Sequence, residues 1–268
     1  MKQTLLILLA IFLGMSNPLL AQNTKTSNKV KVEFGADLYS RYVWRGTQFG
    51  GNSPSLQPSL TVSYGGFEMG AWGAYSLGGI NSSQEMDLSL SHSFFNGMFS
   101  AVITDYYFPT ESGSNNYFDY NKDNTGHILE AGISFNGTKK IPLSFSAYMN
   151  FFGADASHLN NDPASFNFNQ KTRIQYSNYF ELAYNTSAQN VDLNLFVGAT
   201  LSNPIKADPA TGFIGETGFY GTGAGIVNLG ITASKTVKIT KDYSMPLTAS
   251  LITNPQSKNV FLIFGISF

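Results

Sequence analysis

Long runs in which every second residue is apolar constrain this chain more than any other feature. The first run, from Val30 to Trp44, is interrupted only by Ser40. A period of two is typical of a β-strand with one apolar and one polar face, and strands of soluble proteins usually have about five or six residues. Further runs cover 56–64, 67–76, 85–94, 143–151, 173–184, 191–200 and 260–268, with weaker ones at 98–108, 127–135, 224–234 and 245–253. The pattern predicts an all-β protein of twelve strands.

The connections between these runs alternate in length. Short turns such as Gly65-Gly66 and Asn96-Gly97 are followed by long segments at 109–125, 153–172 and 202–222, rich in Asn, Ser and Gly. Short turns at one end and long loops at the other are typical of a transmembrane up-and-down β-barrel. A secreted β-sandwich would also alternate, but it does not require such long strands. We therefore predict the membrane barrel.

The first residues have the features of a secretory signal. Lys2 precedes an apolar segment at 5–14, Pro18 ends it, and Ala21 offers a cleavage site. The apolar segment is too short to span a bilayer as a helix. We expect residues 1–21 to be removed and residues 22–268 to form the barrel.

Composition excludes several functions. Charged residues make up 12% of the 268 residues and the net charge is −1, which disfavours a nucleic-acid binder with a basic face. The chain has no cysteine, so thiolate metal sites, cysteine nucleophiles and disulfides are excluded.

The charged residues of the strands fall mostly on the polar faces, which would line the interior of a barrel. The predicted pore-lining residues are Lys31, Glu33, Asp37, Arg41, Arg45, Trp72, Glu85, Asp87, Asp105, Glu130 and Glu181. For Asp105 the charge itself sets the phase, because its neighbours alternate poorly. Aromatic residues at the ends of the apolar faces, including Trp44 and Phe268, would lie at the two membrane interfaces.

The first strand suggests how such a pore would be charged. Asp37, Arg41 and Arg45 would form a row on its inner face, with Arg41 reaching Asp87 or Asp105 across the bore. An open pore of this kind would be a narrow passive channel for small polar solutes or ions, and because acidic residues outnumber basic ones there, its wall would favour cations or neutral polar solutes. A closed structural or adhesive barrel is the alternative, and an outer-membrane lipid hydrolase is less favoured.

One hairpin resembles a known family. Ser40-Arg41-Tyr42-Val43-Trp44-Arg45-Gly46, followed by Gly70-Ala71-Trp72-Gly73, is similar to the S-x-Y-x-x-R-G hairpin of the TorF porin family. The shared positions are Ser40, Tyr42, Arg45, Gly46, Trp72 and Gly73. The resemblance implies a channel in the outer membrane of a Gram-negative bacterium. The ending Phe264-Gly265-Ile266-Ser267-Phe268 is similar to the C-terminal signal that barrels present to their assembly machinery.

No pattern indicates an enzyme, a cofactor or a bound metal. The same-face neighbours of His92 are Leu90 and Phe94, which cannot complete a catalytic triad. Asp119, Asn121, Asp123 and Glu130 have the spacing of a calcium loop. However, Glu130 would lie inside a strand and no helices flank the segment, so a polar surface loop is the favoured interpretation.

Overall fold

A computed structural model describes residues 29–78, 84–109, 116–122 and 124–268. The predicted signal peptide lies outside these residues. The strands are β1 (Lys31–Tyr39), β2 (Tyr42–Trp44), β3 (Thr47–Phe49), β4 (Ser55–Tyr64), β5 (Phe67–Ser76), β6 (Gln84–Phe94), β7 (Phe99–Tyr107), β8 (His127–Phe135), β9 (Leu143–Gly153), β10 (Ser157–Leu159), β11 (Lys171–Ile174), β12 (Asn178–Ala188), β13 (Val191–Thr200), β14 (Gly225–Lys238), β15 (Ser244–Asn254) and β16 (Asn259–Ser267). The described residues contain no helix with the length and hydropathy to cross a bilayer.

Twelve of the strands close into one antiparallel barrel. Each wall strand pairs with the next wall strand along the chain, and β16 pairs back with β1. The other four strands form two small hairpins, β2–β3 and β10–β11. The predicted twelve-stranded barrel is therefore confirmed, and a sandwich is not what the sequence forms.

The two faces of the wall differ as the alternation predicts. Apolar side chains on the outer face are exposed, among them Val32, Phe34, Leu60, Val62, Met69, Leu90, Ile133, Leu251, Leu262 and Phe264. Polar side chains on the inner face are buried, among them Gln57, Thr61, Ser144, Asn194, Thr232, Thr248 and Ser250. An apolar outside around a polar inside is compatible with a barrel that crosses a membrane.

The chain leaves the wall at Ser40. There the Ser40 N–H donates to the Phe264 carbonyl (2.8 Å), and the Ser40 hydroxyl accepts from the Phe264 N–H (3.0 Å). The next residues turn into the barrel as β2–β3, so the predicted strand from Val30 to Trp44 is wrong beyond Tyr39. Trp44 does not lie at a membrane interface: it is 8% exposed and packs in the interior. The physical reason is that the bore offers aromatic partners for its ring.

The predicted phase of β7 is also wrong. Asp105 is the register partner of Leu129, and Tyr106 is the partner of Ile128. Because partners share a face, Asp105 lies on the outer face, while Tyr106 (3% exposed) points into the bore. The Asp105 carboxylate is held there because it accepts hydrogen bonds from His127 Nδ1 (2.7 Å) and from the Tyr120 hydroxyl (2.8 Å). The prediction assumed that a carboxylate without partners would be too costly on the outer face, and these hydrogen bonds lower that cost.

Candidate functional site: a hairpin inside the bore

A short hairpin, Tyr42–Phe49, occupies the bore at the end of the barrel where the long loops lie. We call it the bore hairpin, and we call the two ends of the barrel the long-loop end and the short-turn end. Its register joins Tyr42 to Phe49 and Trp44 to Thr47. The turn between them is Arg45 (φ 48°) and Gly46 (φ 78°). Two positive φ values in a two-residue loop are typical of a type I′ hairpin turn.

Aromatic rings hold the bore hairpin against one side of the wall. Tyr42 packs on Trp72, with ring centroids 5.6 Å apart, and Trp44 packs on Tyr106 at 5.4 Å. On its other face, Val43 packs with a second apolar cluster, formed by Ala183, Phe196, Ile252, Phe261 and Ile263 of the opposite wall. The bore hairpin therefore bridges the two sides of the barrel.

The tip of the bore hairpin carries a buried ion pair. Arg45 forms a bidentate pair with Glu130 of β8, through Nη1–Oε2 at 2.5 Å and Nη2–Oε1 at 3.0 Å. The two side chains are 2% and 1% exposed. The hydroxyls of Tyr106 and Tyr220 donate to the same carboxylate, each at 2.9 Å. A buried ion pair is tolerated when its remaining hydrogen-bonding capacity is satisfied in this way.

Four aromatic rings surround the Arg45 guanidinium. Its Cζ lies 4.4 Å from the Trp44 ring centroid, 4.2 Å from that of Tyr148, 4.6 Å from that of Tyr179 and 5.5 Å from that of Tyr220. Cation–π attraction is strongest when the cation is desolvated, as it is here. Arg45 is thus fixed both by its charge partner and by the rings around it.

Other predicted pore-lining residues lie on the inner face of the wall. Lys31 and Glu33 form an ion pair at 2.7 Å near the short-turn end. Glu181 accepts hydrogen bonds from Tyr179 and from Asn228 Nδ2, the latter at 3.1 Å. The inward residues Asp37, Glu85 and Asp87 are 6%, 4% and 5% exposed.

Part of this acidic wall is not satisfied by hydrogen bonds. Glu85 Oε2, Asp87 Oδ1 and Thr104 Oγ1 are buried and have no hydrogen-bond partner among the described residues. No group of three or more His, Cys, Asp or Glu side chains arranged to hold a metal occurs in the described part of the chain. Asp123 of the calcium-loop pattern lies outside that part.

Arg41 does not lie where the sequence predicted. It follows the break at Ser40, so it is not on the inner face of β1, and its Nη1 donates to Gln48 Oε1 at 2.9 Å rather than reaching Asp87 or Asp105. It lines a cavity of about 1730 Å³ at the long-loop end, together with Lys206, Glu216 and residues of β16. The predicted row of Asp37, Arg41 and Arg45 therefore does not exist, because the three residues lie on different elements.

Each shared position of the hairpin motif has a structural role. Ser40 ends the wall pairing, Tyr42 and Trp72 pack together, and Arg45-Gly46 form the turn. Gly73 lies on β5, where an added Cβ would come within 3.2 Å of the Glu85 carbonyl. The sequence carries only a weak sign of this hairpin: Gly46 permits a two-residue turn, but Arg-Gly is not among the dipeptides that most strongly signal a type I′ turn.

A family model matches most of the chain, including the bore hairpin. Residues 23–240 match the family model Gcw_chp, described as a bacterial protein of unknown function. The chain belongs to the Gcw_chp family. The match includes the bore hairpin and Glu130, so the ion pair lies wholly inside the matched region.

A solved structure is similar to this chain at low sequence identity. One chain, from work on the in-meso crystallization of membrane proteins, matches with a TM-score of 0.41 and 10% identity, over 88% of this chain and 82% of the other. No curated protein matches the sequence. The TorF resemblance stays a prediction.

Glu216 joins two of the long loops. Its carboxylate accepts from the N–H groups of Leu159 and Ile205, both at 2.9 Å, and lies 3.0 Å from His158 Nδ1. Burial alone would raise the pKa of Glu216, but these hydrogen bonds together hold it below its usual 4.5. Glu216 therefore stays ionised and ties the β10–β11 hairpin to the loop before β14.

Proposed function

We propose that the protein is an outer-membrane channel for small polar solutes or ions, closed by the bore hairpin. One observation carries the proposal: many side chains on the inner face of the wall, most of them between the hairpin and the short-turn end, are small and polar. They include Ser59, Ser63, Ser89, Ser91, Ser93, Ser134, Ser144 and Ser146. A barrel of about eight strands is filled by its own wall side chains, and one of about sixteen leaves an aqueous channel. With twelve strands, the hairpin supplies the filling that the wall lacks.

The outer-membrane location rests on the bacterial family and on the apolar outer face. Phe268, at the end of the chain, is 50% exposed on that face, and its N–H donates to the Ala36 carbonyl at 2.9 Å. These contacts support the roles we assign to Phe268: anchoring the last strand in outer-membrane lipid and presenting it to the assembly machinery. We propose no enzymatic activity, cofactor or nucleic-acid partner.

The charge of the inner wall favours cations once the hairpin moves. Lys31 pairs with Glu33 and Arg45 pairs with Glu130, whereas Asp37, Glu68, Glu85, Asp87 and Glu181 form no ion pair among the described residues. An inner wall with a net negative charge attracts cations and repels anions. The closed structural barrel remains the alternative, favoured if the hairpin never leaves the bore.

Replacing Glu68 with Gln should lower the preference for cations. Glu68 lies on the inner face of β5, near the short-turn end and away from the hairpin. The measurement is the reversal potential across a salt gradient, for open events of the protein in a planar bilayer. Asp208→Asn is the matched control, because Asp208 lies in an exposed loop at the other end. If both variants behave as the parent does, the wall charge does not set selectivity.

A further inference from the structure

The barrel closes along an unusually short seam. β1 pairs with β16 at three positions, Asp37 with Ser267, Leu38 with Ile266 and Tyr39 with Gly265. By contrast, β1 pairs with β4 at nine positions. The seam is short because the chain turns into the bore at Ser40 instead of continuing beside β16.

A stretch of β16 is therefore paired on one side. Asn259–Ile263 pair with β15, but no residue of the described chain pairs with them on the side of β1. Val260 and Leu262 are 68% and 59% exposed on the outer face. At about 3.4 Å per residue, Val260 lies roughly 27 Å along the strand from Phe268. Strand tilt reduces this distance to about 20 Å of height, inside an apolar band of about 25 Å.

Unpaired backbone at that depth is a physical problem for a membrane barrel. Exposed N–H and C=O groups are not tolerated against hydrocarbon, but they are tolerated where they line a wet cavity or are covered. The cavity of about 1730 Å³ meets this edge, since its lining includes Asn259, Val260 and Phe261 together with Arg41 and Gln48. The gap thus connects this cavity with the apolar outer face of the wall.

The chemistry of this cavity has two parts. Arg41 and Lys206 bring positive charge, while the one carboxylate of the lining, Glu216, is already engaged: it accepts hydrogen bonds from two backbone N–H groups and lies 3.0 Å from His158 Nδ1. At the rim, Leu201, Ile226 and Val260 are exposed apolar side chains. Ordinary ligand pockets measure about 300–1000 Å³, so this cavity can hold a polar headgroup with part of a chain.

We propose that the gap beside Asn259–Ile263 is a lateral portal, and that the cavity binds an anionic amphiphile with an acyl chain from the outer leaflet. The headgroup pairs with Arg41 and Lys206, and the chain extends through the gap along Val260. The proposal rests on the outer-membrane location but not on conduction. Binding can therefore be measured in detergent, where a failure of conduction has no effect on it.

The experiment uses a reporter at the rim of the cavity. Because the chain has no cysteine, Ser257→Cys can be labelled at one site with a polarity-sensitive dye in the full-length protein refolded in an uncharged maltoside detergent. Dodecyl phosphate should shift the emission saturably. Inorganic phosphate lacks the alkyl chain, and dodecylphosphocholine lacks the net negative charge. Each should therefore bind at least about tenfold more weakly than dodecyl phosphate.

Two pairs of variants test the assignment. Arg41→Gln with Lys206→Gln should weaken dodecyl phosphate binding by about tenfold or more, whereas Lys235→Gln with Lys238→Gln, at the short-turn end, should not. Val260→Asp should weaken it as well, whereas Leu88→Asp on the opposite wall should not. Heat-modifiability on gels shows that each variant is folded.

Three results would overturn the proposal. One is dodecyl phosphate binding that does not saturate or that is equally tight in the parent and both site variants. Another is equal affinity for inorganic phosphate, which would indicate a simple anion site. The third is a dye shift that follows protein concentration rather than amphiphile, because it would show a second copy of the chain covering the edge.

Discussion

Replacing Gly46 with Ala should displace the bore hairpin from the barrel interior. Gly46 has φ 78°, and an added Cβ would overlap the carbonyl group of Val227, which is wall backbone and cannot move aside. Gly65→Ala is a matched control, because Gly65 has φ 58° in a two-residue turn with nothing within 4 Å of an added Cβ. It reports the cost of a positive φ alone, about 1 kcal/mol.

Tryptophan fluorescence gives a direct readout of this change. The chain has two tryptophans, and Trp44 on the hairpin is 8% exposed. Its emission should shift to longer wavelength in Gly46→Ala and stay unchanged in Gly65→Ala, while both variants keep the heat-modifiability of a closed barrel. Identical emission from the two variants would mean that the hairpin does not depend on its close approach to Val227.

Replacing Arg45 with Met should loosen the hairpin by removing the charge partner of Glu130. Leaving one half of a buried ion pair alone costs about 3–5 kcal/mol. Lys31→Met is the control, since its pair with Glu33 is partly exposed and pairs of that kind contribute about 0–1 kcal/mol. The measurement is the free energy of unfolding in urea.

A second substitution separates the charge from the packing. In Arg45→Met/Glu130→Gln, the buried charge is gone, and Tyr106 and Tyr220 can still donate to the amide oxygen. We expect this double variant to be more stable than Arg45→Met alone. If the stability lost in the double variant equals the sum of the losses in Arg45→Met and Glu130→Gln, Arg45 and Glu130 are not coupled, and the aromatic rings alone hold the tip.

The barrel could be predicted from the sequence because most of its strands follow the alternation on their own. Residues such as Leu60 and Thr61 differ in polarity as the two faces require, and the turn residues between strands agree with the same register. Twelve strands and their order follow from adding these local signals. No long-range information was needed.

The bore hairpin could not be predicted in this way. The alternation is interrupted only at Ser40 and resumes at Tyr42, and one polar residue in a long run is too weak a sign that the chain leaves the wall there. The partners of Arg45 are Glu130 and Tyr220, 85 and 175 positions away, and only the folded barrel brings them together. The face on which Asp105 lies was predicted wrongly for a related reason. Its partner His127 lies on the next strand, and the prediction assumed that the carboxylate would have no partner on the outer face.

The central claim is that the hairpin, and not the wall, closes the bore. Tyr39 and Ser55 are paired across β1 and β4, so residues 41–53 can be replaced by a short Gly-Ser-Gly turn that leaves the wall intact. Single-channel recording in a planar bilayer should then show a steady, large conductance for the shortened chain and brief openings from a closed state for the parent. If the shortened chain conducts no more than the parent does, the wall itself closes the bore and the protein is a structural barrel.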